Sequence, residues 1–147
     1  MALIEPDAVK TVAVLGMGSV GSGWTALLLA RGIAVRAFDP GAGAQATSEQ
    51  LIAGAWPALI ELGHTKAATP PLDQLRFCAT YDDALEGADV VFENVPEKLD
   101  LKHDVLRMAD AATGPETPIL SSAGGISPTQ MQEVCGHPER LAVVHPV

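Results

Sequence analysis

Apolar positions along this chain fall in two alternating rhythms, short unbroken runs and longer stretches at helical spacing. Thr11-Val-Ala-Val-Leu-Gly16 is apolar without alternation, which predicts a strand covered on both faces. A helix is predicted from Ser19 to Arg31, closed by Gly32. Ala34–Asp39 reads as a second strand, ended by Pro40-Gly41. From Ala42 to Leu62 the residues Leu51, Ala55, Leu59 and Leu62 recur at helical spacing, and Pro57 predicts a kink or a split into two helices. Further strands are predicted over 75–79, 88–93, 117–121 and 141–145. They are separated by a helical turn at 82–85 and helices over 98–112 and 128–134. In the 98–112 helix, Leu101, Val105, Met108 and Ala112 share one face. Strand–helix alternation throughout predicts an α/β fold, a doubly wound and mostly parallel sheet with helices on both faces. No Pro/Gly/Ser linker divides the chain, so residues 1–147 read as one domain.

Composition narrows the function classes. With 48% apolar and 18% charged residues in 147, the chain buries one sizeable core and is not a disordered or low-complexity segment. The net charge is −9 and no stretch clusters Lys or Arg, which argues against nucleic acid or an anionic membrane as partner. Cys78 and Cys135 lie far apart with no His at ligand spacing, so no metal site is expected and both read as reduced, buried thiols. The acidic MALIEPDAVK start is not a signal peptide, and no apolar window is long enough to span a bilayer; a cytoplasmic protein is expected.

Gly16-Met-Gly18-Ser-Val-Gly21 matches G-x-G-x-x-G between a predicted strand and a predicted helix. Gly16 permits a tight turn, Gly18 lets a pyrophosphate approach the backbone, and Gly21 lets the helix pack closely. The amides that open the helix, at Ser19 and Val20, then face the phosphates. Asp39 ends the second strand, where a carboxylate accepts hydrogen bonds from an adenosine ribose and repels a 2′-phosphate. The expected cofactor is therefore NAD rather than NADP. The competing reading is a glycine turn with a surface Asp on an unrelated α/β fold.

Three further groups fall after predicted strands, where open parallel sheets bind ligands. Asn94, Val95, Glu97 and Lys102 follow the fourth strand and are candidates for the ribose or nicotinamide side of the cofactor; the alternative is a solvated helix start. Ser121-Ser-Ala-Gly-Gly125 follows the fifth strand, where small residues allow close approach; the alternative is a plain loop before a helix capped by Ser127. His145 closes the sixth strand and is a candidate general base for an alcohol proton. His64, His103 and His137 fall in predicted helical or loop segments and carry no functional expectation.

From about residue 9 to 147 the chain resembles the N-terminal domain of the 3-hydroxyacyl-CoA dehydrogenase superfamily. The resemblance is carried by Val12–Trp24, by Ala88–Lys102 and by His137-Pro-Glu-Arg-Leu-Ala-Val-Val-His-Pro-Val147. The Gly-Trp pair at 23–24 and the last run resemble most the branch that contains L-carnitine dehydrogenase and L-gulonate 3-dehydrogenase, which act on small hydroxy acids. The resemblance implies a Rossmann domain with a helical insertion after the second strand. It also implies a helical C-terminal domain, absent from this chain, that completes the active site and forms a homodimer. It assigns His145 as general base, paired with a Glu beyond residue 147. It places Glu97 and Lys102 near the nicotinamide ribose and Ser122 near the cofactor. The family Ser that bonds the substrate hydroxyl aligns with Gly124, so Ser121 and Gly124 are the candidates for the substrate side.

Two functions follow. The first is an NAD-dependent dehydrogenase oxidising the secondary alcohol of a small 3-hydroxy acid or 3-hydroxyacyl substrate, with this chain its cofactor-binding half. The second is a non-catalytic dinucleotide-binding module, a redox sensor or a crystallin-like structural protein.

Overall fold

The structure, a computed structural model, describes residues 2–146. Its elements run β1 (Thr11–Leu15), α1 (Ser19–Ala30), β2 (Ala34–Phe38), α2 (Ala44–Glu61), β3 (Leu75–Phe77) and α3 (Tyr81–Leu85), then β4 (Val90–Glu93), α4 (Leu99–Ala112), β5 (Ile119–Ser121), α5 (Pro128–Gln132) and β6 (Leu141–Val143). The six strands form one sheet in the order β3-β2-β1-β4-β5-β6, and every pair is parallel. This is the doubly wound Rossmann arrangement, with α2 as the helical insertion after β2.

Both faces of the sheet are covered, which is why β1 shows no alternation. Ala13, Leu15, Val91, Ile119 and Leu141 pack with α3, α4 and α5. Val12, Val14, Val35, Ala37, Val90 and Phe92 pack with α1 and α2. Because α1 and α4 leave the adjacent strands β1 and β4 toward opposite faces, a crevice opens between their carboxyl ends. Register aligns those ends: Leu15 pairs with Phe38 and Glu93, Glu93 with Ser121, and Ser121 with Val143. Gly16, Asp39, Asn94 and Ser122 therefore leave the sheet side by side along one edge.

Two helices bury different faces from those their spacing predicts. In α2 the buried residues are Ser48, Ile52 and Trp56, while Leu51 and Leu62 are exposed and Ala55 and Leu59 half-buried. The indole of Trp56 decides the rotation: its ring is buried and its N–H donates to the Ala67 carbonyl. The helix also runs unbroken through Pro57. Pro57 and Ala53 are both exposed, so the Ala53 carbonyl that loses its donor lies on the solvent side of the helix. In α4 the buried residues are Lys102, Val105, Leu106 and Ala109, with Leu101 and Met108 half-buried and Ala112 exposed. The burial of Lys102 turns this helix by about one residue. Cys78 is buried, whereas Cys135 is half-buried; both are free.

The His137-Pro-Glu-Arg140 run is structural. Arg140 is buried, and its guanidinium donates to the Asp110 carboxylate, to the hydroxyl of Thr113 and to the carbonyls of Asp110, Gly114 and Thr117. It joins the end of α4 to the strand edge that leads into β6. Partial burial raises the Asp110 carboxyl, but the Arg140 hydrogen bonds and charge and the amides of Gly136 and His137 outweigh it and hold it below the usual carboxylate range. A depressed carboxylate contributes stability at neutral pH that is lost as pH falls through its lowered value. Asp110→Asn is expected to cost about 3 kcal/mol at pH 7, because it leaves a buried guanidinium unpaired. In thermal melts from pH 7 down to pH 3, the gap between wild type and Asp110→Asn narrows as the wild-type carboxylate is protonated.

Candidate active site

The turn from β1 into α1 is built around absent side chains. Gly16 has φ +87°, a left-handed conformation, and a Cβ on it would lie 2.6 Å from the Asn94 carbonyl oxygen of the neighbouring β4 exit. A Cβ on Gly21 would overlap the carbonyl oxygen of Gly16. Gly18 differs: its backbone is extended, and a Cβ there would meet nothing within 4 Å. Internal packing therefore gives no reason for glycine at 18; the vacant space lies in front of the helix. Gly18 is the N-cap of the twelve-residue α1, no side chain caps it, and Ser19 and Val20 are exposed. The open cradle and uncapped amides suit a diphosphate, which binds where free N–H groups and the positive end of a helix dipole meet.

Asp39 stands beside this turn. Its carboxylate accepts from the Met17 amide at 2.8 Å and from the Gly41 amide at 2.7 Å. It closes the glycine loop onto the end of β2, and each oxygen keeps a lone pair for a ribose hydroxyl. Tyr81 packs edge-on against Phe38, 4.4 Å between ring centroids. Burial, with the negative charges of Asp39 and Glu93, raises its phenol above the ordinary value. That negative field opposes a 2′-phosphate at this end of the crevice.

At the end of β4, three expected ligand-facing residues turn inward. Lys102 is 1% exposed, and its ammonium donates to both oxygens of Glu93, at 2.9 and 3.1 Å, and to the Val95 carbonyl at 3.0 Å. All three of its protons are used, so it organises the loop and does not present its ammonium to the crevice. Val95 is buried, and its amide donates to Glu93 at 2.7 Å. Ser121 is fully buried with its hydroxyl given to Glu93, which corrects its expected place at the substrate. The cause in each case is Glu93, a buried carboxylate at the sheet edge that must be satisfied from all sides. In the sequence Glu93 marks only a strand end, and an acid closing an apolar strand is the signal of its role.

Glu97 does face outward. Its carboxylate accepts from the amides of Gly125 and Ile126, both at 3.0 Å, and lies 3.9 Å from the Lys102 ammonium. Slight burial raises its carboxyl, but the Gly125 amide, the Lys102 charge and the amides of Ile126 and Gly124 together hold it below the usual range. It therefore remains ionised at neutral pH and ties the loop after β5 to the loop after β4.

Ser122 collects the remaining candidates. Its amide donates to the Glu93 carbonyl at 2.9 Å and its hydroxyl to Asn94 Oδ1 at 2.7 Å. Trp24 Nε1 donates to that hydroxyl at 3.1 Å, and the ring of Trp24 tilts against Phe92. The Ser122 carbonyl lies 2.8 Å from His145 Nδ1. A carbonyl only accepts, so this contact requires the proton on Nδ1 and leaves Nε2 with a lone pair. β6 ends at Val143, and His145 lies beyond it on an exposed segment. Gly124 faces the imidazole: a Cβ there would lie 3.4 Å from His145 Cε1. The missing side chain keeps the space beside His145 open. Among the described residues no three His, Cys, Asp or Glu side chains cluster as a metal site. Val147, the last residue of the run that carries the resemblance, lies outside the described residues.

An all-parallel doubly wound sheet with an uncapped, glycine-lined helix start and an acid closing β2 defines a dinucleotide-binding domain. The chain belongs to the family described as 3-hydroxyacyl-CoA dehydrogenase, NAD binding domain, which matches residues 11–147, and it binds NAD. It is 43% identical over 138 residues to an L-carnitine dehydrogenase of Pseudomonas putida and 45% identical over 141 residues to one of Streptomyces griseus. These matches cover 94% and 96% of this chain but 42% of each relative, so the chain spans less than half their length. Among solved structures, an NAD+-dependent dismutase, 5-formyl-3-hydroxy-2-methylpyridine 4-carboxylic acid 5-dehydrogenase, superposes with TM-score 0.83 at 32% identity. It covers 95% of this chain and 45% of that one. The 3-hydroxybutyryl-CoA dehydrogenase of Escherichia coli K12 superposes with TM-score 0.81 at 28% identity, covering 93% of this chain and 29% of that one.

The glycines make separable predictions. Gly18→Ala is expected to cost no more than about 1 kcal/mol of stability and to weaken NADH binding at least about tenfold by fluorescence titration, because its Cβ enters only the cradle. Gly21→Ala is expected to lower the melting temperature sharply, because its Cβ has no room against backbone.

Proposed function

We propose that this chain is the cofactor-binding half of an NAD-dependent dehydrogenase that oxidises the secondary alcohol of a small 3-hydroxy acid, with His145 as general base. The single observation that carries the reading is the Nδ1 contact of His145 with the Ser122 carbonyl at the carboxyl edge of the sheet. It directs a basic Nε2 outward beside the crevice that holds the cofactor. When bound, NAD+ supplies the hydride acceptor.

The chain's own residues supply binding, orientation and a proton site. The amides of α1 and the space at Gly18 hold the diphosphate, and Asp39 takes the adenosine ribose. Asn94 and Glu97 stand at the ribose of the nicotinamide side, with Ser122 behind them. Lys102 acts through Glu97 and the β4 loop, holding both in place. As the carbon–hydrogen bond of the alcohol breaks, the hydroxyl proton passes to His145 Nε2. The imidazolium that forms is stabilised through its Nδ1–H, held here by the Ser122 carbonyl and shared with the Glu partner in the longer protein. Gly124 leaves room for the substrate beside the ring.

Membership of the family and the 40–45% identity to L-carnitine dehydrogenases support a small hydroxy acid as substrate. The length of those relatives supports a second, helical domain that encloses the substrate, supplies the Glu partner of His145 and forms a homodimer. No helix of the described residues is long and apolar enough to cross a membrane.

NADH titrated into this chain is expected to saturate, with NADPH binding at least about tenfold more weakly because of Asp39. No binding at millimolar NADH overturns the reading. In the longer protein, a panel of 3-hydroxy acids with NAD+ is expected to yield NADH, and His145→Ala to lose about a hundredfold or more in kcat with NADH affinity retained. Intact NAD binding without turnover of any hydroxy acid selects a sensor or structural module instead.

A further inference from the structure

We propose that the ring of Tyr81 is the platform on which the adenine of the cofactor stacks. The proposal rests on the reading of Asp39 at the adenosine ribose, and adds the base that lies beyond it.

The order of exits along the sheet edge carries the assignment. The strands run β3-β2-β1, parallel, and neighbours lie about 4.8 Å apart with their carboxyl ends on one side. β1 ends in the glycine loop and the uncapped amides of α1. β2 ends at Asp39, and β3 in the turn that leads to Tyr81, the first residue of α3. The adenosine half of a dinucleotide consists of phosphate, ribose and base in that order. Amides, a carboxylate and an aromatic ring suit these three parts, and the sheet presents them in the same sequence. The turn before Tyr81 is pinned at both ends. The Cys78 amide donates to the Ala37 carbonyl at 2.7 Å, and the Thr80 hydroxyl caps α3 by accepting from the Asp83 amide at 3.1 Å.

The aromatic residues of the chain are three Phe, two Trp and one Tyr. Trp24, Trp56, Phe77 and Phe92 belong to the core on the α1–α2 face, while Phe38 and Tyr81 border the core on the opposite face. Phe38 immediately precedes Asp39. The two rings meet at 70° with centroids 4.4 Å apart. An edge-to-face contact engages at most one face of each ring, so a face of Tyr81 lies outside the pair. The residue is half-buried, so core packing does not enclose it. Burial raises its phenol, and the charges of Asp39 and Glu93 add to the effect, which sets the ring within reach of the carboxylates that close β2 and β4. Those charges oppose a phosphate but not a neutral base. The phenol itself stays uncharged at neutral pH, as a stacking surface for adenine requires.

The single tyrosine makes its ring signals unambiguous in NMR spectra. A chain deuterated except at tyrosine, saturated with NADH, is expected to show NOEs from the Tyr81 ring to adenine H2 or H8 and none to the nicotinamide protons. Their absence with NADH bound overturns the proposal, and so do NOEs to nicotinamide instead. Tyr81→Leu keeps apolar bulk against Phe38 but removes the π face. By calorimetry it is expected to weaken NADH and ADP-ribose alike by roughly tenfold, with Tyr81→Phe within about twofold of wild type. Wild-type affinity in Tyr81→Leu overturns the platform, as does a loss in Tyr81→Phe equal to that in Tyr81→Leu. If Tyr81→Leu does not fold, as judged by its amide spectrum, the NOEs of the wild type and the affinity of Tyr81→Phe decide by the same criteria. Failure of the ribose reading is distinguishable. Unchanged NADH affinity in Asp39→Ala, with the adenine NOEs present, removes Asp39 from the ribose and leaves Tyr81 under the base. Weakened binding in Asp39→Ala without those NOEs in wild type removes Tyr81 alone.

Discussion

Between Leu15 and Gly21 the backbone passes through a space that admits no Cβ at two points. At Gly16 it crosses the β4 exit, and at Gly21 the first turn of α1 rests on the Gly16 carbonyl. That double close approach sets the rest of the structure. It brings β1 against β4 with their helices leaving in opposite directions, and so opens the crevice. It also aims the amides of α1 along the same edge from which Asp39, Asn94 and Ser122 emerge. The vacancy at Gly18 has a different origin: its backbone is ordinary and none of the described residues comes within 4 Å of a Cβ placed there. Two of these glycines are required by backbone packing, and Gly18 is not.

Behind the crevice, buried charge holds the loops still. Glu93 lies fully buried at the end of β4 with Lys102, the Val95 amide and the Ser121 hydroxyl around it. Arg140 does the same for the far side of the sheet with Asp110 and three carbonyls. Such pairs add little net stability compared with apolar packing, but either partner alone is costly, so the arrangement is specific. Glu97 and His145 stand on the loops fixed this way. The order of the outer residues is inherited from an inner layer buried behind the crevice.

The strand–helix alternation, the glycine loop and Asp39 were legible in the sequence because each depends on neighbours close along the chain. Strand existence and order of elements follow from apolar runs and turn residues. The inward turn of Lys102 and Ser121 was not legible. Their side chains answer to Glu93, which lies 9 and 28 residues away and whose burial depends on the sheet. The same holds for α2, where the spacing of Leu51, Ala55, Leu59 and Leu62 predicts one face and Trp56 imposes another.

The sequence by itself determined a parallel α/β domain, its glycine turn into an uncapped helix start and NAD as the cofactor, since a turn, a helix start and a strand-end acid are local features. Only the tertiary structure decided which polar residues face the crevice and which support it. It also decided that Trp24 meets Ser122 and Ser122 meets His145. Those contacts join segments far apart in the chain, and hydrogen-bond geometry between them exists only once the strands are in register.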